Sequence, residues 1–360
     1  MKESGIQNKY TPTVELQKAF FKSGVTQDYN FRIDQLKKLY ELVHANEPQI
    51  LEAIHKDLHK SYFEGWTVEI GVIKQELKLA IKNLHKWMRA KKLPTPLIHA
   101  IGSSWQYPEP YGNTLVIAPW NYPFMLALRP AIGAISAGNT VIIKPSEISE
   151  NTSTLLKTLI NENFTLEFLH VIQADVIGTT QLLENHFNYI FFTGSPQVGK
   201  IIYQAAAKNF TPVTLELGGK NPCIVDEKVN MHVAANRITW GKFSNAGQTC
   251  VAPDYLLVHA SIKDKLIKLL IKTIRNYYGE NPQKSPDYGR IINTHHFERL
   301  QNLLQNHKVL FGGTADANDK YIAPTIIEVE NTDTLLMQSE IFGPLLPVIA
   351  YNSIEEAIQI

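Results

Sequence analysis

Phe191-Phe192-Thr193-Gly194-Ser195-Pro196-Gln197-Val198-Gly199-Lys200 reads as a strand, a glycine-bearing loop and a helix start. A loop of this kind aims backbone N–H groups and the positive end of a helix dipole at a phosphate. The spacing predicts a loop over 194–199 and a helix over 200–208. The stretch also carries most of the G-x-x-x-x-G-K pattern of a nucleotide-hydrolysing loop. Ile201 stands where that chemistry needs a hydroxyl for Mg²⁺, which disfavours it. A plain strand–helix turn is the bland competitor.

Upstream, the same alternation repeats. Strands are expected over 114–118, 141–143, 169–172 and 189–192, and helices over 124–136, 149–161 and 177–184. Ser149 or Asn151 is the expected N-cap of the second helix. Short β-branched and aromatic strands between helices of this length indicate a parallel, doubly wound sheet. Downstream of Gly218-Gly219 the alternation restarts. Strands fall at 223–225 and 255–258, helices at 231–243 and 262–277, and a last strand holds Leu345, Leu346, Val348 and Ile349.

The first ninety residues read mostly as helix, with Ile50, Ile54 and Leu58, then Leu77, Ile81 and Leu84, at helical spacing. Pro94 and Pro96 end that region. Ser103 to Tyr111, with Pro108 and Pro110, reads as an edge or projecting strand. At 360 residues the chain should hold two or more domains. A net charge of +1 gives no reason to invoke nucleic acid or an anionic membrane as partner. No apolar run is long enough to span a membrane. The polar first ten residues do not resemble a secretory signal. Two cysteines make no disulfide framework, and a reactive thiol suits a reducing cytoplasm.

Four stretches are candidates for chemistry. Asn245-Ala246-Gly247-Gln248-Thr249-Cys250 puts a cysteine in a polar, glycine-bearing loop, which suits a nucleophile. The second cysteine, Cys223, lies in the apolar run Pro222-Cys223-Ile224-Val225 and reads as buried, inert packing. Thr214-Leu215-Glu216-Leu217-Gly218-Gly219-Lys220 carries a partly desolvated carboxylate in an apolar strand. A thiol and such a carboxylate together suggest covalent chemistry followed by general-base hydrolysis. A boundary near Gly218 would set Glu216 and Cys250 on opposite sides of an interdomain cleft. Lys144-Pro145-Ser146-Glu147 closes a strand where α/β sheets bind ligands, and its cation and carboxylate suit ribose hydroxyls. A solvated loop ion pair is the competing reading. Ala118-Pro119-Trp120-Asn121-Tyr122-Pro123 holds a neutral side-chain donor between two prolines, as an oxyanion site requires, although Asn-Tyr-Pro alone is more often a turn. His55 with His59, and His295 with His296, lack further ligands at matching spacing, so no metal site is expected.

Six segments in order resemble the aldehyde dehydrogenase superfamily. They are Pro119-Trp120-Asn121, Lys144-Pro145-Ser146-Glu147, Phe192-Thr193-Gly194-Ser195, Leu215-Glu216-Leu217-Gly218-Gly219-Lys220, Gly247-Gln248-Thr249-Cys250 and Glu340-Ile341-Phe342-Gly343-Pro344. One such motif is weak; six in sequence are specific. Cys250-Val251-Ala252-Pro253-Asp254-Tyr255 and Ser285 to Asn293 are similar to the class 3 branch, which includes the fatty-aldehyde enzymes.

The resemblance implies an α/β fold of two doubly wound parallel-sheet domains, cofactor and catalytic, plus a partial oligomerisation flap. Residues 1–90 and 112–218 would form the NAD(P)-binding domain with its N-terminal helices, 91–111 part of the flap, and 219–360 the catalytic domain. Cys250 would attack the aldehyde, with the oxyanion held by the Asn121 amide and the Cys250 backbone N–H. The adduct would give hydride to the nicotinamide, and Glu216 would draw a proton from water to hydrolyse the thioester. Trp120, Lys144, Glu147, Thr193, Gly194, Ser195, Gly199, Leu217, Gly218, Glu340 and Phe342 would hold the cofactor. NAD is the expected cofactor, with NADP left open, because Glu147 should repel a 2′-phosphate that Lys144 would attract.

Family members continue beyond Ile360, so the resemblance also implies an incomplete catalytic domain. A homodimer is expected where the C-terminal segment is present. Two alternatives follow: a catalytically impaired fragment, and a CoA-acylating enzyme whose thioester is taken by a thiol. Glu216 argues against the second, because a positioned base favours water.

Overall fold

The structure is a computed structural model and describes residues 8–360. The chain divides into two compact units. Residues 8–53 and Trp66–Glu216 form the first, and Ile54–Gly65 with Leu217–Ile360 form the second.

The first unit opens with helices Thr11–Lys22 and Tyr29–Ala45, and Gly71–Trp87 follows later. Asp28 caps the second of these, accepting from the Phe31 N–H. Strand β1, Lys91–Leu93, pairs antiparallel with β2, Ser104–Gln106. This corrects the expectation of an extended strand through Tyr111. Pro108 and Pro110 cannot donate to a ladder and lie outside it, and the partner comes from the segment just before Pro94.

Five strands follow: β3 Asn113–Ile117, β4 Thr140–Lys144, β5 Leu169–Val171, β6 Tyr189–Gly194 and β7 Val213–Leu217. Their order is β5-β4-β3-β6-β7, with in-register parallel pairs β3–β4, β3–β6 and β4–β5. β3 and β4 are buried along their whole length, which is why they read as continuous apolar runs rather than alternating ones. Leu115, Ile117, Ile142, Ile190 and Phe192 pack with Val14 and Tyr10 of the N-terminal region. The chain moves one way from β3 to β4 and β5, then returns to add β6 and β7 on the other side. The switch point therefore lies where the carboxyl ends of β3 and β6 diverge, the position at which open α/β sheets take ligands.

Two helix starts differ from expectation. The helix after β6 runs over Pro196–Ala207, four residues earlier than expected at its start. Ser195 is its N-cap, accepting from the Val198 N–H, and Pro196 sits at the first helical position, where its missing N–H costs nothing. Gly199 is thus helical rather than loop. The helix Glu150–Asn163 does have Ser149 at its N-cap, but the hydroxyl donates to the Ser146 carbonyl instead of capping, and Asn151 lies inside the helix.

The second unit holds β8 Pro222–Val225, β9 Tyr255–His259, β10 Lys308–Phe311, β11 Ala315–Asp316, β12 Tyr321–Ile322, β13 Thr325–Glu328 and β14 Leu345–Tyr351. The main sheet is ordered β10-β13-β14-β9-β8. Four strands are parallel; β10 is an antiparallel edge on β13. Helices Met231–Phe243 and Lys263–Tyr278 cover it through Ala235, Ile238, Leu266, Leu270 and Ile274, which belong to the same buried cluster as Leu256, Leu346 and Val348.

Candidate active site

In the second unit the loop leading to Cys250 is built by buried backbone rather than by solvent-facing polar residues. Asn245, Ala246 and Gly247 all adopt left-handed φ, at 52°, 50° and 75°. Ala in that region is strained, by about 1–2 kcal/mol. Glycine at 247 is a steric necessity, because a Cβ there would sit 2.3 Å from the Gly343 carbonyl oxygen. The strain is held by hydrogen bonds. The Asn245 N–H donates to Glu64 Oε1 at 2.7 Å. Gln248, fully buried, donates from Nε2 to the Asn245 and Arg290 carbonyls, both at 2.9 Å, and accepts from the Ile292 N–H at 3.0 Å. Asn221 Nδ2 donates to the Cys250 carbonyl at 2.7 Å and the Ala252 carbonyl at 3.3 Å. Cys250 itself is partly buried. Its loop is therefore positioned by two side chains from other segments of the same unit, Glu64 and Asn221, and by its own Gln248, which ties it to the Arg290–Ile292 strip.

A second set of contacts ties this loop to the segment carrying Glu340. Asp254 accepts from the Ile341 N–H at 2.9 Å with one oxygen and pairs with Lys220 Nζ at 2.5 Å with the other. Lys220 Nζ also donates to the Leu336 and Ser339 carbonyls. Glu340 accepts from the Gly219 N–H, and a Cβ on Gly218 would fall 2.0 Å from Glu340 Oε2. Burial pushes the Glu340 carboxyl above its ordinary range; Asp254 adds to the rise, while the Gly219 N–H, Lys242 and Arg299 oppose it. Phe342 has a left-handed φ of 49°. Gly218, Gly219, Cys250, Glu340 and Phe342 all lie where β8, β9 and β14 begin, at the amino ends of these parallel strands.

Lys242 is buried in the last turn of Met231–Phe243. Burial pushes its ammonium down to about 8; Asp254 and Glu340 oppose this and Lys220 adds to it. The folded value is below the unfolded one, so the unfolded chain binds more protons between pH 8 and about 10.5, and stability rises with pH across that window. Measured by urea unfolding, the parent should gain about 3 kcal/mol on Lys242→Met between those limits. A constant difference would show that burial does not depress this lysine.

In the first unit, Asn121 is buried in the loop after β3, as is Tyr122. Lys144 ends β4 with its side chain only 6% exposed, and its Nζ meets Glu147 Oε2 at 2.5 Å. The expected alternative of a solvated pair does not describe it, since the lysine end is buried. Thr193 and Gly194 end β6, and Thr193 Oγ1 is buried without a hydrogen-bond partner. An orphaned hydroxyl at the switch point, beside a helix N-terminus, fits a polar ligand there. Trp120 lies in the same loop as Asn121, half-buried.

Three local expectations are corrected. Glu216 is exposed on β7 rather than partly desolvated, because β7 is the edge of its sheet. Leu217, next to it, is 38% exposed. Cys223 is only partly buried, since β8 is likewise an edge strand; burial still pushes its thiol up. His55 and His59, whose spacing of four suggests one helix, do not share one. Glu47–Leu58 ends before His59, which takes a left-handed φ of 57°, and His55 Nδ1 contacts the Lys60 carbonyl at 2.9 Å. Among the described residues no group of three or more His, Cys, Asp or Glu side chains is placed to hold a metal.

Sequence reading passed over Glu69, Asp254 and Arg290 as individual residues. Arg290 donates to the Tyr288 and Gln283 carbonyls and pairs with Asp319 at 2.9 Å, fixing the strip that holds Gln248. A carboxylate amid the apolar residues of Trp66-Thr67-Val68-Glu69-Ile70 was the one available signal for Glu69.

A family model described as the aldehyde dehydrogenase family matches residues 14–360. The 4,4'-diaponeurosporen-aldehyde dehydrogenase of Staphylococcus aureus is 51% identical over 343 residues, covering 95% of this chain and 75% of that protein. The dimeric NADP-preferring aldehyde dehydrogenase of Canis lupus familiaris is 44% identical over 352 residues, covering 98% of this chain and 78% of that protein. A solved structure of a substrate-bound Staphylococcus aureus AldH superposes with a TM-score of 0.95 at 49% identity, covering 97% of this chain and 77% of that one.

Proposed function

The chain belongs to the aldehyde dehydrogenase family, whose members are NAD(P)-dependent oxidoreductases of aldehydes, and from that premise we propose that Cys250 is the nucleophile of the reaction. The carrying observation is the built loop around Cys250, left-handed at three successive residues and held by Gln248, Glu64 and Asn221.

The Cys250 thiolate attacks the aldehyde carbon, forming a C–S bond and sending the carbonyl electron pair to oxygen. The Asn121 amide and the Cys250 backbone N–H hold that oxyanion. Collapse of the adduct restores the C=O bond, expels hydride and leaves a thioester. Bound NAD(P)+ supplies the hydride acceptor. Glu216 then takes a proton from water, hydroxide adds to the thioester, and the C–S bond breaks to give the carboxylic acid and free thiolate; the acid then loses its proton to solvent as carboxylate. The exposure of Glu216 suits a base that must meet water.

Trp120, Lys144, Glu147, Thr193, Gly194, Ser195 and Gly199 would hold the adenosine half of the cofactor, and Leu217, Gly218, Glu340 and Phe342 the nicotinamide half. The orphaned Thr193 hydroxyl supports the first set, and the close fit of Glu340 against Gly218 supports the second. NAD is preferred over NADP in this reading, because Glu147 already occupies Lys144 and its carboxylate opposes a 2′-phosphate. The division into an NAD(P)-binding domain, a flap over 91–111 and a catalytic domain belongs to the same reading. So do a cytoplasmic location and, where the C-terminal segment is present, a homodimer: Leu97, Ile98 and Ile101 stand almost fully exposed in the β1–β2 connection. Among the described residues no helix is long and apolar enough to cross a membrane.

Measuring NADH formation from hexanal or benzaldehyde, with and without CoA, tests the reading. Water-dependent turnover without CoA supports it. An absolute requirement for CoA would make the chain an acylating enzyme instead.

Gly218→Ala gives a separate test of the Glu340 assignment. The new Cβ must displace the carboxylate, so the KM for NAD should rise about 10- to 100-fold through lost charge-assisted bonding, while iodoacetamide alkylates Cys250 at the parental rate. An unchanged KM would remove Glu340 from the cofactor site.

A further inference from the structure

We propose that Glu69 is a positioning residue that sets the Asn121 amide for its oxyanion role. The proposal rests on the assignment of Asn121 made above. Glu69 lies in a one-turn π segment, Trp66–Ile70, which inserts an extra residue ahead of the helix Gly71–Trp87. Such turns break the 3.6-residue register and commonly serve a site. Here the turn leaves Glu69 with no solvent exposure.

One oxygen of this buried carboxylate meets a helix start. Its Oε2 accepts from the Phe124 N–H at 2.9 Å and from the Met125 N–H at 3.2 Å. These are the orphan donors at the start of the helix Met125–Ala137, whose own N-cap position, Phe124, supplies no side-chain cap. A negative charge at that end also meets the positive pole of the helix. Glu69 therefore caps the helix in place of the missing local residue.

That cap lies three residues from Asn121, and the link between them is stiff. Pro123 fixes its own φ and restricts Tyr122 before it. The Tyr122 carbonyl is already taken by the Leu126 N–H at 2.9 Å. A shift of the helix start therefore moves Tyr122 and Asn121 with it. An oxyanion donor acts only when its N–H reaches the developing charge at hydrogen-bond distance, so a small displacement is costly.

The test is a double-mutant cycle on the full chain, with hexanal and NAD+ and the single-turnover rate of hydride transfer as readout. Glu69→Gln should lower that rate about 10- to 100-fold in the parent. In the Asn121→Ala background the same change should cost less than about twofold, because the donor it positions is already gone. Fluorescence titration should show parental NAD affinity, and iodoacetamide should still alkylate Cys250. Equal losses in both backgrounds, or no loss in the parent, would overturn the proposal. An Asn121→Ala rate equal to the parent's would instead overturn the oxyanion assignment, and Glu69's role with it. If Glu69→Gln does not fold, Glu69→Asp, which keeps the charge and shortens the reach, decides the question through the same cycle.

Discussion

Cys250→Ala should abolish aldehyde oxidation, by about 10⁴-fold or more, and leave NAD affinity within about twofold of the parent. No other group in the proposed mechanism forms the covalent bond to the substrate carbon, so the loss is of the step itself and not of its rate constant alone. The loop should survive the change. It is fixed by the Gln248, Glu64 and Asn221 contacts to backbone atoms, none of which uses the thiol. Cys223→Ala is the matched control. That thiol is partly buried on an edge strand, packed against the core of the second unit, and its removal should cost less than about 1.5 kcal/mol with activity retained. Assays of both variants side by side decide the matter. Should Cys223→Ala be the inactive one, the nucleophile has been misassigned.

Glu216→Gln separates the two halves of the reaction. The amide keeps the shape of the carboxylate and cannot accept a proton. Attack by Cys250 and hydride transfer should proceed, and hydrolysis should stall at the thioester. Rapid mixing with hexanal should then show a burst of NADH close to one per active site, followed by turnover slowed about 10²- to 10⁴-fold. Trapping the acyl enzyme by mass spectrometry would locate the group on Cys250. A uniform loss without a burst would mean that Glu216 acts earlier, for example on the thiol. Parental turnover would take it out of the mechanism.

Much of the fold was legible because its signals are local. The strands β3 to β6 announced themselves as short β-branched runs at regular spacing, and the helix Met231–Phe243 was bounded correctly at both ends. The errors lie where a single side chain decides a boundary. Ser195 and Pro196 start a helix that glycine-rich reading delayed to Lys200. The prolines at 108 and 110 shortened a strand. The π turn at Trp66–Ile70 has no periodic signature, since it is an interruption of the period.

By itself the sequence determined the α/β class, the restart of the alternation after Gly218-Gly219, the family and the identity of the residues to which chemistry is assigned. These follow from composition, spacing and ordered motifs, which need no knowledge of distant contacts. Tertiary structure alone decided how those residues are held. Gln248, Asp254 and Glu69 act on backbone groups 42, 87 and 55 positions away in the chain. It also decided that Cys250 and Glu340 lie at the amino ends of their strands, and that Glu216 lies exposed on a sheet edge. The physical reason is that a buried polar group must find a partner wherever the fold places one, and strand order, which no local pattern encodes, sets which partners are within reach.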